Sequence, residues 1–275
     1  MDAAALLREA RLDEALAALQ ADIRRNPADA RLRVLLFQLL AVGGQWERAG
    51  NQLNVVGELD AKASAMVQTY CTALSCEAFR AAVFAGEKTP LLFGDPEQWI
   101  AQMLQALAHG AQGRHQEAER FRAEALEQAP AVAGEIDGQR FEWIADADSR
   151  LGPVCEAIVN GKYYWIPFHR LRTIAIEPPE DLRDFVWMPV RLTFANGGES
   201  VALVPTRYPG SESHADAALR MARKTDWTQA SENTYIGLGQ RMFATDAADY
   251  ALMDVRRIQL EPATQESEPQ GAGGA

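Results

Sequence analysis

The sequence predicts a multidomain protein, an all-α tetratricopeptide-like superhelix followed by a small α+β domain with a mainly antiparallel sheet. Three observations carry that prediction. A helical pattern returns about every 34 residues over the first 130 positions, composition shifts near residue 131, and a series of strand-like runs follows.

The first 130 residues are rich in Ala, Leu, Glu, Gln and Arg, the composition of helices packed through small residues. Ala15 and Ala49 stand 34 apart, Ala49 and Ala118 stand 69 apart, and Pro27 and Pro130 stand 103 apart, close to one, two and three periods. Gly44 and Trp46 precede Ala49, and Gly113 and His115 precede Ala118. In a tetratricopeptide unit the glycine turns the chain between two helices, the alanine allows their close approach, and the proline stops the second helix. The unit expected at about 62 to 95 is degenerate, with Val83 at the alanine position and the loop GEKTPLLFGDP near its end. Stacked units of this kind form a concave surface that holds a peptide or helix of another protein.

Beyond residue 131 aromatic and β-branched residues, Pro and Gly increase. A helix is expected over Gln139 to Leu151, ended by Gly152 and Pro153. The runs GKYYWIPF, LRTIAIE, VWMPVRLTF, ESVALVPTR, QRMFAT and ALMDVRRIQL read as strands, with Asn196, Gly197 and Gly198 turning a hairpin. A second helix is expected from about His214 to Lys224. The domains are therefore expected at 1–130 and 131–261, with a polar, disordered tail over 262–275.

Composition narrows the function. A formal net charge of −11, from 27 basic and 38 acidic residues, argues against a nucleic-acid partner. No run of 18 or more apolar residues occurs, and charges interrupt the N-terminal apolar stretch, so a cytoplasmic protein without membrane insertion is expected. Cys71, Cys76 and Cys155 are too few, and oddly numbered, for a disulfide framework, and are expected as buried core thiols.

Catalytic patterns are missing. His109, His115, His169 and His214 fall in no zinc-ligand spacing, and no phosphate cradle or nucleophile elbow is present, so no metal, cofactor or catalytic residue is expected. GLGQRM reads as a tight turn before a strand. Asp146 and Asp148 face different ways on a helix, where Asp146 and Arg150 at i,i+4 make an ordinary ion pair. His169 with Glu177, Asp181 and Asp184 could supply acid and base groups, but EPPEDLRD reads more simply as a polar loop. Trp143, Tyr163, Tyr164 and Trp165 read as core. In PTRYPGSE, Arg207 and Tyr208 are either exposed interface anchors or parts of a structural loop with Arg207 paired internally. Besides an adaptor, two readings stay open: a small-molecule-binding or hydrolytic α+β domain carried by a repeat arm, and a general assembly scaffold.

The stretch WIADADSRLGPVCEAIVNGKYYWIPF, followed in order by DLRDFVWMPVRLTFANGGE, PTRYPGSE, ARKTDW, GLGQRM and DVRRI after a helical half, resembles the ImpE/TagJ (SciE-type) family of type VI secretion accessory proteins. The resemblance is most specific from Trp143 to Ile258. It implies a non-catalytic cytoplasmic adaptor that binds the small subunit of the contractile sheath and is linked to the AAA+ unfoldase that dismantles the sheath. It also implies an unfoldase contact through the N-terminal segment, where Leu6, Leu7 and Leu12 form an apolar side that either meets the partner or packs on the first repeat.

Overall fold

The computed structural model describes residues 2–262; all but the first residue of the expected tail lie outside them. Seven helices come first among the described residues: α1 (Ala3–Arg8), α2 (Leu12–Arg25), α3 (Ala30–Val42), α4 (Trp46–Leu59), α5 (Ser64–Phe84), α6 (Gln98–Ala111) and α7 (His115–Gln128), with the two-residue strand β1 (Leu91–Leu92) between α5 and α6. None is long and apolar enough to cross a membrane.

The turn signals act locally. Gly44 and Gly113 adopt φ of +67° and +74° in the links from α3 to α4 and from α6 to α7, and each linked pair packs together. Ala15, Ala49 and Ala118 are buried where helices approach. Residues 62–95 differ from expectation, since they hold one 21-residue helix, α5, in place of a helix–turn–helix. No glycine or proline interrupts 64–84, so nothing turns the chain until Gly86 at φ +73°.

The remainder contains β2 (Gly134–Ile136), β3 (Gln139–Phe141), β4 (Ile144–Asp146), β5 (Val154–Val159), β6 (Lys162–Pro167), β7 (Leu171–Ile176), β8 (Trp187–Phe194), β9 (Glu199–Pro205), α8 (Ala217–Arg220), β10 (Thr225–Ser231), β11 (Thr234–Gly239), β12 (Met242–Thr245), β13 (Asp249–Ala251) and β14 (Arg257–Leu260). A nine-stranded sheet runs in the order β1-β6-β5-β9-β8-β7-β14-β2-β3. All its pairings are antiparallel except β1 with β6. Three strands, β13-β12-β4, form a small sheet, and β10 and β11 form a hairpin.

Two helix expectations are corrected. Residues 139–151 form β3, β4 and a turn, because Asp137 and Gly138 at φ +47° and +86° fold β2 onto β3 and the Asp148 carboxylate accepts the Arg150 N–H at 2.8 Å in the following turn. The helix expected from His214 to Lys224 is only Ala217–Arg220, closed by Ala222 at φ +51°. The Asn196–Gly198 hairpin joins β8 to β9 as the sequence indicates, with Gly197 at φ +85°.

Strand alternation divides the core in two. Val154, Ile158, Tyr163, Trp165, Trp187 and Leu203 point towards the helices and share one cluster with Phe37, Leu53 and Leu74. Cys155, Ala157, Ile166, Met188, Val190 and Val204 point the other way and pack with Phe243, Leu252 and Ile258. The strand β5 is therefore buried throughout.

Candidate functional site

One charged residue on β5 faces the helices. Glu156 falls on the same side as Val154 and Ile158, and is fully buried. Opposite it, α5 carries Glu77 and Arg80 one turn apart on its buried face. Arg80 donates from Nε and Nη2 to the Glu156 carboxylate at 2.6 and 3.0 Å, a bidentate pair. The Arg80 Nη2 also reaches the Arg207 carbonyl at 2.9 Å, and Glu77 accepts the Trp187 indole N–H at 2.8 Å.

A second guanidinium closes the other side. Arg241, in the link between β11 and β12, donates to both Glu156 and Asp146, and its Nε donates to the Pro205 carbonyl at 2.8 Å. Tyr163 donates its hydroxyl to Glu156, and the Trp165 indole donates to the Tyr163 oxygen at 2.9 Å. The Tyr208 hydroxyl donates to Asp146 at 3.1 Å. These groups join α5, β4, β5, β6, β8 and the loops after β9 and β11 in one buried network.

The two carboxylates respond differently. Burial alone raises a carboxyl pKa, but Glu156 lies between Arg80 and Arg241, which outweigh burial and bring it to about 2. At Asp146 burial dominates over the single opposing cation, Arg241, and the carboxyl is pushed up to about 6. Arg241 is held above the ordinary guanidinium value, because Asp146 and Glu156 overcome the cost of burial.

Of the residues singled out from sequence, Arg207 and Tyr208 are both buried. Arg207 donates to the Val42 carbonyl at 2.7 Å, to Ala41 at 3.2 Å and to the Arg220 carbonyl, so it caps the end of α3 from the sheet side. Burial lowers its pKa to about 10. Tyr208 packs under Gly237, whose absent side chain leaves room for the ring. Leu6, Leu7 and Leu12 are also buried. Arg223 caps the α1 that carries the first two, donating to the Leu7 and Arg8 carbonyls at 2.8 and 2.9 Å.

Other groupings are corrected. Arg150 pairs with Asp148 at 2.6 Å rather than with Asp146, because the expected helix is absent: Asp146 points inward from the end of β4 and Asp148 from the turn after it. His169 meets Glu97 at 2.9 Å, away from Glu177, Asp181 and Asp184. Asp184 instead accepts the Glu180 and Asp181 N–H groups at 2.8 Å, closing its own loop. Trp143 is exposed, whereas Tyr163 and Trp165 are core. Cys76 and Cys155 are buried and Cys71 half-buried.

Sequence reasoning missed Glu77, Arg80, Glu156 and Arg241. The signal was present for three of them: charged residues interrupt otherwise apolar runs in SCEAFRAAV and PVCEAIV. The open surfaces are elsewhere. A groove of about 520 Å³ runs between Gln68, Thr69 and Thr72 of α5 and the β5–β6 turn and β9, where Val201 is 70% exposed.

Comparison with known proteins adds to this geometry. Residues 138–259 match a family described as "ImpE protein". The chain is 54% identical over 262 residues to the protein named "Type VI secretion system accessory component TagJ" of Pseudomonas aeruginosa, covering 95% of this chain and 92% of that one. A crystal structure of a Vibrio parahaemolyticus protein superposes with a TM-score of 0.86 at 24% identity, over 94% of this chain and 97% of that one, a likeness of fold.

Proposed function

The chain belongs to the ImpE/TagJ family, and from that premise we propose that it is a non-catalytic accessory protein of a type VI secretion system, acting in the cytoplasm. In this reading it holds the small contractile-sheath subunit and links the sheath to its AAA+ unfoldase. The observation that carries the reading is the 54% identity to a protein named as such an accessory component, sustained over 95% of the chain.

The site geometry supports holding rather than turnover. The carboxylates of Glu156, Asp146 and Asp148 are all engaged by guanidiniums inside the protein, where Glu156 ties α5 to the sheet and the two aspartates tie β4 and its turn. The proposed binding surface is the groove beside α5, whose mixed lining, apolar at Val201 and Leu203, polar at Gln68 and Thr72 and basic at Lys162, suits an amphipathic helix. Leu6, Leu7 and Leu12 enter the proposal as anchors of the N-terminal segment, with the exposed residues of α1 offered to the unfoldase. Arg207 and Tyr208 enter it by fixing the loop that follows β9.

Co-purification tests the reading. The pure protein at micromolar concentration is expected to retain the small sheath subunit. Retention of neither that subunit nor the unfoldase overturns it.

A further inference from the structure

A small pocket of about 100 Å³ lies where α6 and α7 meet β11. Phe84, Leu107 and Ile236 supply apolar wall, and two guanidiniums, from Arg122 and Arg150, supply charge. Arg150 is neutralised by Asp148 at 2.6 Å and lies over the Phe84 ring at 4.9 Å.

Arg122 is in a different position. It is only 5% exposed, yet its one hydrogen bond among the described residues runs from Nη1 to the Thr234 hydroxyl oxygen at 2.6 Å, and its buried Nε has no acceptor. The two carboxylates it feels are engaged elsewhere, Asp148 by Arg150 and Glu119 by the Asn233 amide at 2.6 Å. A guanidinium carries five donors in a planar fork, and burying its Nε with no acceptor and no carboxylate in direct contact among the described residues is costly. The fork matches a carboxylate in two parallel hydrogen bonds. The pocket is too small for a nucleotide or a sugar.

The surroundings indicate the source of such a group. His115 lines this pocket and also an open cleft of about 650 Å³ between the α6–α7 turn and the β10–β11 hairpin, along which Glu117, Glu119 and Glu232 outnumber the cation Arg114. A chain lying in that cleft can place one side chain in the pocket while basic neighbours face the glutamates. We propose that the Arg122 pocket takes the side-chain carboxylate of an Asp or Glu carried on an extended segment of a partner protein, with basic residues flanking it. The inference deepens the partner-holding reading and rests on it only for the source of the carboxylate.

Calorimetric titration of the full-length protein tests it with the blocked peptide acetyl-Lys-Leu-Glu-Leu-Lys-amide, its Glu-to-Gln counterpart, acetate and phosphate, all at one ionic strength. The Glu peptide is expected to bind about tenfold or more tighter than the Gln peptide, the worth of one charge-assisted hydrogen bond. It is also expected to bind tighter than acetate, and Arg122→Gln should erase the difference. Ala111→Phe, at an exposed position on the rim, should block binding without disturbing the core, which keeps the test decisive if the arginine variant does not fold. Equal binding of the two peptides, Glu-peptide binding that survives Ala111→Phe, or acetate or phosphate binding as tightly as the Glu peptide overturns the proposal. Co-purification of the sheath subunit does not enter this experiment, so the two readings fail separately.

Discussion

The two faces of the nine-stranded sheet are held by different physics. Away from the helices, Ile166, Ile174, Met188, Val190 and Ile258 pack against Phe243 and Leu252 in an apolar layer. Towards the helices, Trp165, Trp187 and Leu203 pack against α3 to α5, but Glu156, Arg80, Arg241 and Asp146 run through the same layer. Apolar contact is tolerant of sliding, whereas a buried carboxylate shared by two guanidiniums has one geometry in which all three are satisfied. Here the helical half is docked in register by charge as well as by area. The caps that Arg207 and Arg223 place on α3 and α1 work in the same direction.

The sharpest way to break this contrast is to remove the shared carboxylate. Glu156→Ala takes the shared partner from Arg80 and Arg241, leaving them Glu77 and Asp146, and is expected to cost about 3–5 kcal/mol in chemical denaturation. Ile174→Ala on the apolar face removes buried methyl groups and is expected to cost about 2–4 kcal/mol, set by the cavity left behind. The faces then separate on rescue. Replacing Glu77, Arg80 and Glu156 together by Gln, Met and Leu should recover much of the loss, since Arg241 keeps Asp146 and Glu77, which otherwise loses Arg80 at 3.5 Å, no longer carries a charge. A triple variant as unstable as Glu156→Ala would show that the arginines were not the source of the cost.

The next effect is on acid stability. Glu156, with a folded value of about 2 against an ordinary 4.5, stabilises the fold above pH 4.5 and loses that contribution as pH falls towards 2. Asp146, at about 6 against 3.8, has the opposite sign: its contribution is fully present below pH 3.8 and is lost as pH rises through 6. Thermal melts are therefore expected to show rising stability as pH drops from 7 through 6, then a fall below 4.5. Asp146→Asn should flatten the first limb and Glu156→Gln the second. A profile unchanged by both substitutions would mean that the network does not control the pH response.

Much of this arrangement was legible in sequence and some could not be. Gly44, Gly113 and Asn196–Gly198 act within a few residues of themselves, so their turns follow from local chemistry. Strands β6 to β9 were visible because aromatic and β-branched residues cluster in them. The strand β5 was not recognised, since burial on both faces gives a short apolar run without alternation. Asp137–Gly138 was a readable hairpin signal, overridden by the helix-forming residues that follow it. The pairing of Arg241 with Glu156 and Asp146 spans 85 and 95 positions, and no spacing rule reaches that far. For Arg207 the sequence left both readings open while leaning towards the internally paired loop, because exposure is a property of the packed chain.

The smallest expected effect is also the one that can order the opening of the two faces. Three free cysteines report on different places: Cys71 is half-buried on α5, Cys76 lies between α5 and the β5–β6 turn with Sγ 3.5 Å from the Gly161 carbonyl, and Cys155 lies in the apolar layer. Burial raises all three thiols, to about 11 at Cys76, where Glu77 adds to it, and to about 12 at Cys155. Since the thiolate is the reacting species, alkylation at mildly alkaline pH should modify Cys71 first. In sub-denaturing urea Cys76 should follow before Cys155, because Cys76 is freed once α5 lifts from the β5–β6 turn, whereas Cys155 is freed only when the sheet's far layer opens. Simultaneous labelling of Cys76 and Cys155 would mean that the two faces open as one cooperative unit, and that the charge network serves to tie the helices into the sheet's own stability.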